Sequence, residues 1–139
     1  MTITYLGAAP PVRDFVSMRA ACGWGEVSPA IARCCLSGSV ASVTAMDETK
    51  QTIGFCRAFG DSMYVYIQDV IVRPEFRGKK IGEQMMHNLL GQIRTKFPSA
   101  SIMLMCAKGQ EDFYARFGFT PRPDGGFGPG MQILSPGLP

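Results

Sequence analysis

Histidine and tryptophan are almost absent from this 139-residue chain, with one of each. A lone histidine, His87, and the lack of any Cys-x-x-Cys spacing argue against a structural zinc site, so we expect no metal. Long apolar runs are also missing. The longest, from Ile102 to Ala107, is far too short to cross a bilayer, and no basic start followed by an apolar run marks a signal peptide.

Charge of either sign is sparse and scattered. Fourteen basic and eleven acidic side chains leave a formal charge of +3, without the broad basic stripe that nucleic-acid binding requires. The exception is a compact basic group, Arg77, Lys79 and Lys80, which suits a small polyanion. The five cysteines are odd in number and follow no framework spacing, which is typical of reduced thiols in a cytoplasmic protein.

Apolar periodicity and turn residues predict a single mixed α/β domain over residues 1–139. Its central mixed sheet would have about six to seven strands, flanked by about four helices. Strands are predicted over residues 3–6, 40–46, 52–59, 63–72, 102–106, 119–122 and 131–134, and helices over 12–22, 29 to near 38, 82–97 and 110–117. The strands from 40 to 72 should form an antiparallel meander, and those at 63–72 and 102–106 should run parallel.

The most informative segment runs from Asp69 through a basic, glycine-bearing loop into the helix predicted from Gly82. The first turn of a helix has unpaired amides and a partial positive charge, which together bind phosphate. A pyrophosphate would therefore fit over residues 77–82. The alternative is a solvated turn with a basic tip. Neither the Gly-x-Gly-x-x-Gly pattern nor the Gly-x-x-x-x-Gly-Lys-Ser/Thr pattern is present, which disfavours dinucleotide and nucleoside-triphosphate sites.

A second element covers residues 113–119, Phe-Tyr-Ala-Arg-Phe-Gly-Phe. Its phenylalanines are expected to pack a short helix into the core, with Gly118 in the turn that follows the helix. That packing does not account for Tyr114, whose hydroxyl needs a polar partner if it is buried.

Together these two elements resemble the GNAT superfamily of N-acetyltransferases. The family's coenzyme loop, Arg/Gln-x-x-Gly-x-Gly/Ala, is matched at Arg77 and Gly82. Its Val-x-Pro lead-in and its later Phe-Tyr-x-x-x-Gly-Phe element are matched at Val72, Pro74, Phe113, Tyr114, Gly118 and Phe119. Lys80 departs from the pattern, because it stands where the family has the middle glycine of the loop.

The resemblance implies acetyl-coenzyme A (acetyl-CoA) as cosubstrate. The backbone of Val70, Ile71 and Val72 would bind the pantetheine arm, between strands that splay apart near residues 72 and 102. The pyrophosphate would lie over Arg77, Gly78, Lys79, Lys80, Ile81 and Gly82. Tyr114 would act as the general acid at the coenzyme sulfur, and a backbone amide near Val70 could stabilise the oxyanion.

The residue that deprotonates the incoming amine is less clear. Asp69 is the only carboxylate in the long strand, and residues 67–70 resemble the strand of glucosamine-phosphate N-acetyltransferases, which carry an adjacent Glu-Asp pair there. Here Gln68 replaces the glutamate. Asp69 is therefore either a base that acts through water or a brace for the neighbouring loop.

The acceptor predicted from the resemblance is a primary amine on a small molecule. A protein amine, or a non-catalytic coenzyme A-binding module, is the alternative. Arg19, Trp24 and Glu26 lie in the region that walls the acceptor site in the family, where they would contact the substrate or simply pack. Nucleic acid and membrane are not expected as partners, and a homodimer is compatible with the family.

Overall fold

The computed structural model of the chain describes residues 1–136 and contains five strands and four helices in this part. The strands are β1 Thr4–Leu6, β2 Ala41–Met46, β3 Thr52–Gly60, β4 Tyr64–Val72 and β5 Ser101–Met103. The helices are α1 Val12–Ala21, α2 Pro29–Ser37, α3 Ile81–Lys96 and α4 Glu111–Ala115, with a 3₁₀ turn at Pro74–Phe76.

One mixed sheet carries the fold, with its strands side by side in chain order from β1 to β5. Neighbours from β1 to β4 are antiparallel, and β5 runs parallel to β4. The predicted meander and the predicted parallel pair are therefore confirmed. The long connection from β4 to β5 contains α3, as a parallel crossover requires.

Local sequence signals explain where the helices begin and end. The Ser28 hydroxyl accepts the amide of Ile31 at 3.2 Å, and Pro29 follows as the first residue of α2, where its missing N–H is harmless. Helix α3 buries an apolar stripe with a helical period and ends at Lys96, just before Pro98. Strand β4 likewise ends at Val72, two residues before Pro74.

The predicted strands at 119–122 and 131–134 are wrong, so the sheet of residues 1–136 has five strands and not six to seven. The first segment contains Pro121, and the second lies between Pro129 and Pro136. Proline cannot donate to a ladder, and the glycines between the two segments favour turns. Between residue 104 and residue 136, the end of the described chain, the one bridge joins Asp124 and Phe127.

The chain divides into two compact units, one from Met1 to Leu104 and the other from Met105 onward. The first holds the whole sheet with α1, α2 and α3, and the second holds α4 and the segment after it. A single acetyltransferase domain over residues 1–139 stays a prediction. Among residues 1–136, no helix has both the length and the apolar character needed to cross a bilayer.

Helices cover both faces of the sheet in the first unit. The ring of Phe55 on β3 lies 5.4 Å from that of Phe15 on α1, within a buried cluster. The next residue, Cys56, points its thiol at the carbonyl of Met85 on α3, at 3.9 Å. Because successive side chains of a strand point to opposite faces, α1 and α3 pack on opposite sides of β3.

Burial makes Cys56 an unreactive thiol. Its side chain is fully enclosed, which raises the pKa of the thiol far above its ordinary value. Since the thiolate is the reactive form, we expect a thiol reagent at pH 8 to label exposed Cys34 in the native protein and Cys56 only after unfolding. Mass spectrometry of labelled peptides, with Cys34→Ser as control, measures both rates. Equal native rates at the two residues would contradict the prediction.

Candidate functional site

A bulge interrupts β4 at the residues singled out by the sequence. Gln68 pairs with Arg57 and Ile71 with Phe55, so Asp69 and Val70 together lie opposite a single residue of β3. Asp69 has a left-handed backbone, with φ of 62°. Left-handed geometry is uncommon outside glycine, although aspartate tolerates it better than most residues. The sequence favoured a regular strand and did not predict this bulge.

Beyond the bulge, one edge of β4 has no strand beside it in the first unit. The ladder with β5 joins Tyr64–Tyr66 to Ser101–Met103 and ends there, whereas β4 continues to Val72. The amide of Arg73 donates to the carbonyl of Ile53 at 2.8 Å, so Arg73 faces β3. Along an antiparallel strand, successive residues direct their backbone N–H and C=O groups to opposite edges. Val72 therefore directs its N–H and C=O to the open edge. Its carbonyl accepts from Nε of Arg77 at 3.3 Å.

The basic loop joins this edge to the start of α3. Arg77, Gly78, Lys79 and Lys80 are all exposed, and Gly78 has a φ of 79°, which glycine adopts without strain. Lys80 is the N-cap residue of α3, with φ of 62° and ψ of 20°, and its side chain does not cap the helix. Three exposed cations thus lie in the loop that leads directly into a helix start with no side-chain bond from its N-cap residue. This arrangement suits an anion such as a diphosphate.

The remaining residues predicted to bind the cofactor fall into two groups, those with buried side chains and those that are half-buried. The side chains of Ile71 and Ile81 are 3% and 1% exposed, so only their main-chain groups can contact a ligand. Val70, Val72 and Gly82 are half-buried. Main-chain contacts of a cofactor along residues 70–72 stay a prediction.

Asp69 is enclosed between two arginines. Its carboxylate is fully buried, with Oδ1 accepting from Nη1 of Arg19 and Oδ2 accepting from Nε of Arg57 at 2.7 Å. Both oxygens are therefore engaged by guanidinium groups. This geometry favours the bracing role for Asp69 over that of a base. The guanidinium carbon of Arg19 also lies 5.7 Å from the Trp24 ring, which gives both residues a packing role.

Arg57 is the residue of this site that the sequence prediction missed. It lies in the buried part of β3, where every neighbour from Thr52 to Ala58 is buried as well. A charged residue in an otherwise buried strand requires a counter-charge from elsewhere in the fold. That signal was present in the sequence, but nothing in the local pattern indicates which carboxylate supplies the partner.

Tyr114 belongs to the second unit and lies on α4, where it is half-buried. Its ring meets the ring of Phe113 edge-on at 4.9 Å and that of Phe119 at 6.1 Å. The predicted packing of this helix into the core is not confirmed, because no residue of α4 is buried and the rings of residues 113–119 contact one another instead. Within the described chain, no group of three or more histidine, cysteine or acidic side chains is placed to hold a metal ion.

Comparison with known proteins gives a consistent family. A family profile described as "Acetyltransferase (GNAT) domain" matches residues 39–121. An uncharacterized N-acetyltransferase of the red alga Porphyra purpurea is 34% identical over 80 residues, which are 57% of this chain and 45% of the relative. The chain thus spans about half the length of the curated relatives it matches.

Solved structures are similar to this chain over most of its length. A Staphylococcus aureus protein described as a probable acetyltransferase has a TM-score of 0.83 and 25% identity, covering 96% of this chain and 100% of its own. A GNAT family N-acetyltransferase from Escherichia coli in complex with CoA has a TM-score of 0.65 at 19% identity, covering 85% of this chain and 68% of its own. The second similarity concerns the fold alone.

Proposed function

Because the chain belongs to the GNAT acetyltransferase family, we propose that it transfers the acetyl group of acetyl-CoA to a primary amine of a small molecule. The observation that carries the proposal is the continuity of three features in one segment. A bulged strand edge, a loop with three exposed cations and an uncapped helix start follow one another from Asp69 to Gly82. That order matches an extended ligand with a diphosphate at one end.

In this proposal, the main chain of Val70 and Val72 pairs with the pantetheine arm along the open edge of β4. The amides of residues 78–82 and the side chains of Arg77, Lys79 and Lys80 hold the diphosphate. Charge-assisted bonds to phosphate are stronger than neutral ones, so the loop would add to the affinity. The residues present therefore fit the cofactor.

The reaction would be a direct transfer. The neutral amine attacks the thioester carbonyl, a C–N bond forms, and collapse of the tetrahedral intermediate breaks the C–S bond. An amide at the bulge, near Val70, would donate to the oxyanion, and Tyr114 would protonate the departing thiolate. The nitrogen that has attacked would release one further proton, which would return through solvent to the Tyr114 phenolate. An amine with a lysine-like pKa of about 10 must lose a proton first. We assign this deprotonation to water molecules that connect the amine to bulk solvent. Asp69, acting through water, is the second candidate.

Two other functions remain open to test: acetylation of a protein amine, and coenzyme A binding without catalysis. The decisive assay combines calorimetry of acetyl-CoA binding with thiol release from acetyl-CoA across a panel of small amines and lysine peptides. We expect saturable binding and thiol release with at least one small amine. Binding without release from any amine would favour the binding module, and absence of binding would contradict the proposal. A homodimer and a cytoplasmic location remain predictions.

The Lys80→Gly substitution separates two effects of Lys80, that of its charge on cofactor binding and that of its left-handed backbone on stability. Left-handed geometry costs a non-glycine residue about 1–2 kcal/mol, partly offset by the greater freedom of glycine in the unfolded chain. We therefore expect the unfolding free energy to rise by about 0.5–1 kcal/mol. Acetyl-CoA binding should nevertheless weaken about two- to five-fold, and more at low salt, because one cation is lost.

Lys79→Gly is the matched control, because Lys79 is exposed but its backbone is not left-handed. Loss of charge there should weaken binding without raising stability. Urea titration and calorimetry at two salt concentrations measure both effects. Tighter binding by the Lys80→Gly variant would mean that the lysine obstructs the cofactor, contrary to the prediction.

A further inference from the structure

The left-handed position of the β4 bulge is occupied by Asp69 and not by a glycine, and the Asp69 side chain holds the bulge in place. Asp69 has φ of 62° in a strand interior, a conformation that costs a non-glycine residue energy and persists only where the surroundings enforce it. The contacts that fix Asp69 are made by its carboxylate. Both carboxylate oxygens accept hydrogen bonds from arginines, and no surface of the side chain is exposed.

The two arginines reach Asp69 from different elements. Arg19 comes from α1, and its guanidinium carbon lies over the rings of Phe15 and Trp24 at 5.9 Å and 5.7 Å. Arg57 comes from β3, directly opposite Gln68 in the ladder. The Asp69 carboxylate is therefore fixed relative to α1 and β3 at the same time.

Arg57 is the more firmly held of the pair. Besides its bond to Asp69, its Nη1 donates to the carbonyl of Cys35 on α2 at 3.4 Å, and its guanidinium carbon lies 5.3 Å from the Phe59 ring. Arg19 donates to Asp69 through Nη1, whereas its buried Nε has no hydrogen-bond partner. Removal of Arg57 should therefore disturb Asp69 more than removal of Arg19.

We infer that Arg57 and Arg19 are positioning residues that act through Asp69 to fix the β4 bulge, so that the amide near Val70 points at the thioester carbonyl. This inference rests on the proposed function. A planar guanidinium suits the task because it holds the carboxylate in one direction and can donate to a second acceptor, which a lysine ammonium does less well.

The expected signature is a loss of turnover with retained cofactor binding. Arg57→Gln leaves the three cations of the diphosphate loop unchanged, so the Kd for acetyl-CoA should stay within about three-fold. A small misplacement of an oxyanion donor can cost about 100-fold in rate. We expect kcat to fall about 10- to 100-fold in Arg57→Gln, less in Arg19→Gln, and to recover partly in Arg57→Lys.

The test uses the full chain and acetyl-CoA labelled with ¹³C at the carbonyl. Difference infrared spectra should show the bound thioester carbonyl of the wild type shifted to lower frequency than in solution, because it accepts a hydrogen bond. In Arg57→Gln and Asp69→Asn, the band should move back toward its solution position while calorimetry still shows binding. Ile93→Val, a core change on α3 more than three turns from the loop, controls for general destabilisation and should keep the wild-type band.

The outcomes separate this inference from the proposed function. Wild-type protein that binds no acetyl-CoA overturns both. A wild-type band shift that persists in Arg57→Gln and Asp69→Asn, with kcat unchanged, overturns only the positioning role. If Arg57→Gln fails to fold, Arg19→Gln carries the comparison with a smaller expected loss of kcat and a smaller return of the band. An unshifted wild-type carbonyl would likewise overturn the inference.

Discussion

Tyr114→Phe is expected to lower turnover about 100- to 10,000-fold while the fold and the affinity for acetyl-CoA survive. That range is the usual contribution of a positioned general acid. The substitution removes one oxygen and leaves the ring, so the edge-on contacts with Phe113 and Phe119 persist. An effect confined to kcat indicates an interaction made only in the transition state.

The measurement pairs steady-state kinetics with calorimetry of acetyl-CoA binding. Tyr5→Phe is the matched control, because it makes the same chemical change on β1, where Tyr5 is half-buried, and should leave turnover unaffected. Near-normal turnover in Tyr114→Phe would return this residue to a packing role. Loss of turnover together with loss of binding would make it a binding residue and not the acid.

The elements predicted well from the sequence are those whose signals are local. Helix α3 has an apolar repeat of four full turns and a proline just beyond its end, so its bounds differ from the prediction by only one residue. The cap of α2 needs only Ser28 and Pro29. The basic loop could be proposed as a phosphate-binding segment because the strand, the loop and the helix follow one another directly in the chain.

The features that the sequence did not predict depend on contacts between distant residues. The bulge arises where Asp69 meets Arg57 and Arg19, and no pattern within β4 indicates it. The left-handed backbone of Lys80 was not predicted either, since lysine gives no turn signal of its own; the only sign was the glycine that the resembled family has at this position. The two predicted closing strands failed for the opposite reason. Their apolar residues suggested pairing, whereas the neighbouring prolines remove ladder donors.

Phe55→Ala should produce the largest loss of stability among the variants considered, about 3–5 kcal/mol of unfolding free energy. Phe55 is fully buried, packs on Phe15 and pairs with Ile71 immediately after the bulge. Removal of its ring leaves a cavity between α1 and the sheet. Since domains of this size are stable by about 5–15 kcal/mol, the loss takes a large share of the total.

The single tryptophan makes this measurement specific to the first unit. Trp24 packs against the same buried cluster as Phe55, so its fluorescence in a urea titration reports unfolding of that region. Phe127→Ala is the control for the same chemical change, because Phe127 is 67% exposed and its loss should cost less than about 1 kcal/mol. A midpoint for Phe55→Ala close to that of Phe127→Ala would mean that the α1–β3 contact contributes little to stability. The assignment of this cluster as the core that supports the bulge would then be wrong.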